Sequence, residues 1–80
     1  MKLPRDITGV ELVKRLAYLE YRVSRQTGSH IRVTTQKNGI HSLTIPAHNP
    51  LKIGTLSSIL NDVANHFSMT KETLLEHLSL

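Results

Sequence analysis

The stretch Arg25-Gln26-Thr27-Gly28-Ser29-His30-Ile31-Arg32-Val33 sets an imidazole directly after a Gly-Ser turn and directly before an alternating strand, with an arginine on either side. Imidazole is the side chain whose ordinary pKa, about 6.5, lets it take or give a proton near neutral pH. Such a base can deprotonate a ribose 2′-hydroxyl, with Arg32, Arg25 or Lys52 stabilising the charge that develops on phosphorus. Arg22 and Arg32 are expected to meet phosphate, and Gly28 lets a backbone approach a ligand where a side chain would obstruct it. The chemistry would be RNA cleavage without a metal or other cofactor. On pattern alone His30 also reads as an ordinary surface residue, since a lone histidine near a hairpin turn is commonly no more than that. No second catalytic group stands out; His48, Ser29 and Lys52 are the candidates.

Charge supports a phosphate-bearing partner. Ten Lys and Arg against six Asp and Glu give a formal charge of +4, and Lys14, Arg15, Arg22, Arg25 and Arg32 crowd the segment around His30. Other chemistries fit less well. Without cysteine there are no disulfides, thiolate metal sites or thiol nucleophiles, and a reducing cytoplasm is the natural compartment. His41 and His48 stand seven apart, and no two ligands at turn or helical spacing have a carboxylate beside them. His66 and His77 read as partners of helix C-terminal dipoles. Gly28 and Gly39 are isolated turn glycines, and Gly54 opens a helix without the lysine of a P-loop. Ser29 and His30 are neighbours but have no acid to complete a triad. Tyr18, Tyr21 and Phe67 are too few and too core-like for a base-stacking platform. With no apolar leader and no run approaching roughly 18 apolar residues, a soluble, unexported protein is expected, away from membranes.

The elements that must position His30 follow from periodicity. Eighty residues allow one domain, 1–80, near the lower limit for a fold held by packing alone. Thr8 and Glu11 have capping-box spacing, and a helix is expected from about Gly9 to Leu19 with Val10, Val13, Leu16 and Ala17 as its stripe, widened by Leu12 and Leu19. Tyr21 to Gln26 and Ile31 to Thr35 alternate as strands on either side of a Thr27-Gly28-Ser29 loop, which pairs Val23 with Val33 and Gln26 with His30. A three-residue loop with Gly39 left-handed then pairs Val33 with Leu43 and Ile31 with Ile45; a two-residue Asn38-Gly39 loop would mix the faces. One face becomes Tyr21, Val23, Ile31, Val33, Leu43 and Ile45. The other becomes Arg22, Ser24, Gln26, His30, Arg32, Thr34, Ser42 and Thr44. Leu56, Ile59, Leu60, Val63, Ala64 and Phe67 predict a helix from Gly54 or Thr55 to His66, and Thr70 caps a last one from Lys71 to Leu78. This is an α+β fold, a three-stranded antiparallel sheet with helices on its apolar face.

Four segments together, "LPRDITGVELVKRL", "RQTGSHIRV", "HSLTIPAHNPLKIGTLSSIL" and "MTKETLLEHL", resemble the HicA-type (YcfA-like) toxins of bacterial toxin-antitoxin systems. The specific pieces are Gly28-Ser29-His30 and the block from Ile45-Pro46-x-His48 to Gly54-Thr55-Leu56. The resemblance implies a double-stranded-RNA-binding-domain-like α-β-β-β-α fold, here with a short extra C-terminal helix, and a ribonuclease that cleaves messenger RNA and halts translation. It also implies that His30 is the essential histidine and that a cognate HicB-type antitoxin masks the site. One position departs from the pattern: Glu20 stands where many members have a glycine between the first helix and first strand. A non-catalytic RNA-binding module, or an interaction domain for an acidic protein, are the alternatives to catalysis. Cleavage dependent on His30, and the salt dependence of RNA affinity, separate the three.

Overall fold

The computed structural model describes residues 3–80. Its order is helix α1 (Gly9–Leu16), a 3₁₀ turn (Ala17–Leu19), strands β1 (Arg22–Thr27), β2 (His30–Thr35) and β3 (His41–Pro46), then helices α2 (Ile53–His66) and α3 (Lys71–His77). The sheet is antiparallel in the order β1-β2-β3. This is the expected α-β-β-β-α arrangement with an added C-terminal helix.

The Thr8 hydroxyl accepts from the Glu11 amide at 3.0 Å and so caps α1. The reciprocal half of the capping box is absent, because the Glu11 carboxylate instead accepts from Arg15 Nε at 2.9 Å. Leu12, Leu16 and Leu19 are buried, while Val10 is 50 % exposed and Ala17 is exposed. The expected stripe is thus buried through Leu12, Leu16 and Leu19, with Val13 packed partly against the core, while its Val10 and Ala17 flank faces solvent. Both sets of residues have helical spacing, and only docking chooses between them. Arg15 also donates to the carbonyls of Leu78 and Ser79, at 3.5 and 3.2 Å, which ties the segment after α3 to α1. It is thereby removed from the basic cluster around His30. Tyr18, expected in the core, is 59 % exposed.

Glu20 itself adopts the left-handed conformation (φ 65°, ψ 24°) that a glycine would reach without steric cost. Its amide donates to the Ala17 carbonyl at 2.9 Å, and its carboxylate lies 3.5 Å from Lys37 Nζ.

The second hairpin has the expected register, with Val33 opposite Leu43 and Ile31 opposite Ile45. The first does not. Thr27 pairs with His30 across a two-residue Gly28-Ser29 turn, with Gly28 at φ +57°, and Gln26 faces Ile31 rather than His30. Val23 still meets Val33 because Ser24 is bulged, one extra residue that the shorter turn requires. The bulge also sets Arg25 opposite Arg32, and so onto the polar face. Every residue of β1 is exposed, and Val23 is 53 % exposed although it stands on the apolar side. The helical layer covers β2 and β3 and leaves this edge open.

The core joins Leu12, Leu16, Leu19 and Tyr21 to Val33 and Ile45, and these to Leu56, Leu60 and Val63 of α2 and Leu74, Leu75 and Leu78 around α3. Thr70 caps α3 by accepting from the Thr73 amide at 3.1 Å.

Candidate active site

His30 opens β2, between Thr27 of β1 and Pro46 of β3. It is exposed. None of the side-chain hydrogen bonds or ion pairs of the described residues engages its ring, nor those of His48, Arg22, Arg25 or Lys52. An exposed imidazole without a partner keeps both ring nitrogens available to a ligand.

Backbone contacts bring distant parts of the chain to this end of the sheet. The Ala47 amide donates to the Ser29 carbonyl at 2.6 Å, carrying the β2-β3 pairing one step past Pro46. The Gly9 amide donates to the His48 carbonyl at 2.9 Å, and the Leu51 amide to the Ile7 carbonyl at 2.9 Å. Gly9 is confined: a Cβ here would run into the Pro46 carbonyl oxygen and would meet the Ala47 Cα at 2.9 Å. The start of α1, the exit of β3 and the Gly-Ser-His turn therefore form one junction. Leu51, 2 % exposed, anchors the chain entering α2. Lys52 is the N-cap of α2, whose first turn has no acidic residue. A cation beside a helix N-terminus attracts an anion.

The expected site residues divide. Gly28, Ser29 and His30 share the turn, Arg32 lies two residues along the same face of β2, and the bulge brings Arg25 opposite Arg32. Arg32 Nη1 donates to Thr44 Oγ1 at 3.1 Å, fixing it across β3. A Cβ at Gly28 would have nothing within 4 Å, so the space over the turn is open. Arg22 stands apart, five residues along β1 from the Thr27 that pairs with His30; that is roughly 17 Å at strand rise. It lines a surface concavity with Glu20, Val23, Ser24, Thr34 and Gln36. Level with Arg22 runs a row of hydroxyls: Ser24 Oγ is 3.2 Å from Thr34 Oγ1, which is 2.8 Å from Ser42 Oγ.

The opposite end of β3 holds a second set of histidines, whose arrangement the spacing of the residues did not announce. Tyr21 is 1 % exposed, and its hydroxyl donates to His41 Nδ1 at 2.6 Å. His41 Nε2 in turn donates to Asp62 Oδ1 at 3.2 Å, the tautomer this chain of bonds requires. The His41 and His66 rings stack, with centroids 4.4 Å apart, and His66 Nε2 donates to the Lys37 carbonyl at 2.9 Å. His66 thus braces the β2-β3 loop as well as ending α2. Burial, and then the Asp62 carboxylate, raise the Tyr21 pKa well above the ordinary tyrosine value, since both disfavour a phenolate. Among the described residues no group of three or more His, Asp or Glu is arranged to hold a metal ion.

A family model described as HicA toxin of bacterial toxin-antitoxin matches residues 9–64. Comparison with curated proteins and with solved structures gives no match. The matched span runs from the Gly9 contact, through the Gly28-Ser29-His30 turn, to the buried face of α2.

Proposed function

Given that the chain belongs to the HicA toxin family of bacterial toxin-antitoxin systems, we propose that this toxin is an endoribonuclease that cleaves messenger RNA, with His30 as general acid or base. It needs no metal for the step and halts translation by destroying its substrate. Membership of the family implies a cognate antitoxin; a HicB-type protein that covers the His30 face is the form we propose. Among the described residues no helix is long and apolar enough to cross a membrane, and the cytoplasm, where messenger RNA is translated, is the proposed place of action.

The observation that carries this reading is the exposed, unpartnered His30 imidazole at an open turn, with Arg25 and Arg32 facing each other two residues along the sheet. Gly28 and Ser29 leave room for a phosphodiester, and Arg25, Arg32 and Lys52 supply positive charge as phosphorus gains negative charge. Arg22 holds RNA farther along β1 and takes no part in the chemistry.

Purified protein and His30→Ala, with matching circular dichroism, are to be given a long single-stranded RNA in excess EDTA. Cutting by the wild type alone, with a loss of about 10²- to 10⁴-fold in the variant, is expected of a proton-transfer group. RNA left intact but bound by both proteins would instead identify a non-catalytic RNA-binding module. An affinity for that RNA indifferent to salt would count against phosphate contacts altogether.

A further inference from the structure

We propose that His48 is the second proton-transfer group of this site, acting as general acid on the leaving oxygen while His30 acts as base; the inference rests on the ribonuclease reading above. The placement comes from strand alternation. Ile45 is fully buried, Pro46 stands opposite His30, Ala47 packs against the core, and His48 is exposed. The in-out alternation thus continues past the end of β3, and His48 leaves the sheet on the face that carries His30. The hydrogen bond from the Ala47 amide to the Ser29 carbonyl keeps the β2-β3 register through this step. His48 thereby follows two residues after Pro46, the residue opposite His30. Cross-strand and along-strand spacings set the two Cα atoms about 8 Å apart.

Three further observations suit a catalytic position. The carbonyl of His48 is held by the Gly9 amide, so its backbone is fixed while its ring is engaged by none of the described side-chain bonds. Gly9 admits no side chain, because the Pro46 carbonyl occupies the place of a Cβ. The space over Gly28, two residues before His30, is open. Two imidazoles flanking a phosphodiester can serve its two oxygens at once.

The step balances without a co-reactant. The neutral His30 ring takes the proton of the 2′-hydroxyl as the 2′-oxygen forms its bond to phosphorus. The bond from phosphorus to the 5′-oxygen breaks, and the imidazolium of His48 gives that oxygen its proton. The products are a 2′,3′-cyclic phosphate and a 5′-hydroxyl, with both rings left in the opposite protonation states.

The test compares two RNA oligonucleotides of the same sequence, one ordinary and one with a sulfur in place of the bridging 5′-oxygen at the cleavage position. A thiolate leaves without being protonated, so only the ordinary linkage needs an acid. His48→Ala and His48→Gln are expected to lose about 10²- to 10⁴-fold on the ordinary RNA and less than about tenfold on the sulfur-bridged RNA, whereas His30→Ala stays slow on both. Equal losses on both substrates, or no loss on either, would overturn the role of His48 and leave the ribonuclease reading standing. Wild-type protein that cuts neither RNA would overturn both.

Discussion

β3 begins at one histidine and stops two residues short of another, and the two ends of this strand use imidazole in opposite ways. At its start, His41 accepts from a buried tyrosine, donates to Asp62 and stacks on His66. At its far end, His30 and His48 are exposed and their rings are held by no such bond. The residue type is the same, and the surroundings decide its task. A ring whose nitrogens are both committed braces the fold, while a ring with both nitrogens open can bind or move a proton.

The variant with the largest expected effect breaks the contrast at its hinge. Gly9→Ala drives a Cβ into the Pro46 carbonyl oxygen, with backbone on both sides and nothing flexible to yield. A loss of about 3 kcal/mol of folding stability is expected, with RNA cleavage falling as the junction holding His48 opens. Urea denaturation measures it, and a change under about 0.5 kcal/mol would mean that the contact between α1 and β3 gives way freely.

Next comes His41→Ala. It leaves the Tyr21 hydroxyl buried without its acceptor and removes the stacking partner of His66, so stability should fall by about 2 kcal/mol. Cleavage per folded molecule should be unchanged. His30→Ala is the mirror image, losing cleavage and keeping stability within about 0.5 kcal/mol, because an exposed ring with no partners contributes little to folding. If both variants lost activity at equal stability, the division between the two ends of β3 would be false.

The smallest effect appears in alkali. Tyr21 in the folded chain holds its proton above the range in which an unfolded tyrosine loses it. Between about pH 10 and the higher folded value the unfolded state binds fewer protons, so stability declines as pH rises, approaching 1.4 kcal/mol per pH unit. Tyr21→Phe should cost about 1 kcal/mol at neutral pH and flatten this decline. Denaturation midpoints measured from pH 8 to 11 test it; an unaltered slope in Tyr21→Phe would assign the alkaline sensitivity to other groups.

Much of this architecture was legible in the residues because its signals are local. The Leu56-Ile59-Leu60-Val63 stripe buries as its spacing requires, and Thr8 and Thr70 cap the helices they precede. Sorting of apolar and polar side chains was enough to register β2 against β3. The same argument misjudged the first hairpin. There Val23 pairs with Val33 under either reading, and alternation alone does not distinguish a longer loop from a two-residue turn with a bulge at Ser24. The choice matters to function, since it moves Arg25 onto the polar face and Gln26 off it.

The amino-acid sequence by itself determined the order of the elements, the register of β2 against β3 and the presence of a glycine turn just before His30, because turn chemistry and periodicity act within a few residues. Tertiary structure alone decided which side of α1 is buried, that Arg15 binds the far end of the chain rather than joining the basic face, and that Gly9, Ser29 and His48 meet. It also decided that Tyr21, His41 and Asp62 form one chain of hydrogen bonds. The hydrogen bonds among these join residues from 18 to 64 positions apart, and such contacts depend on how whole elements pack, a matter on which local spacing is silent.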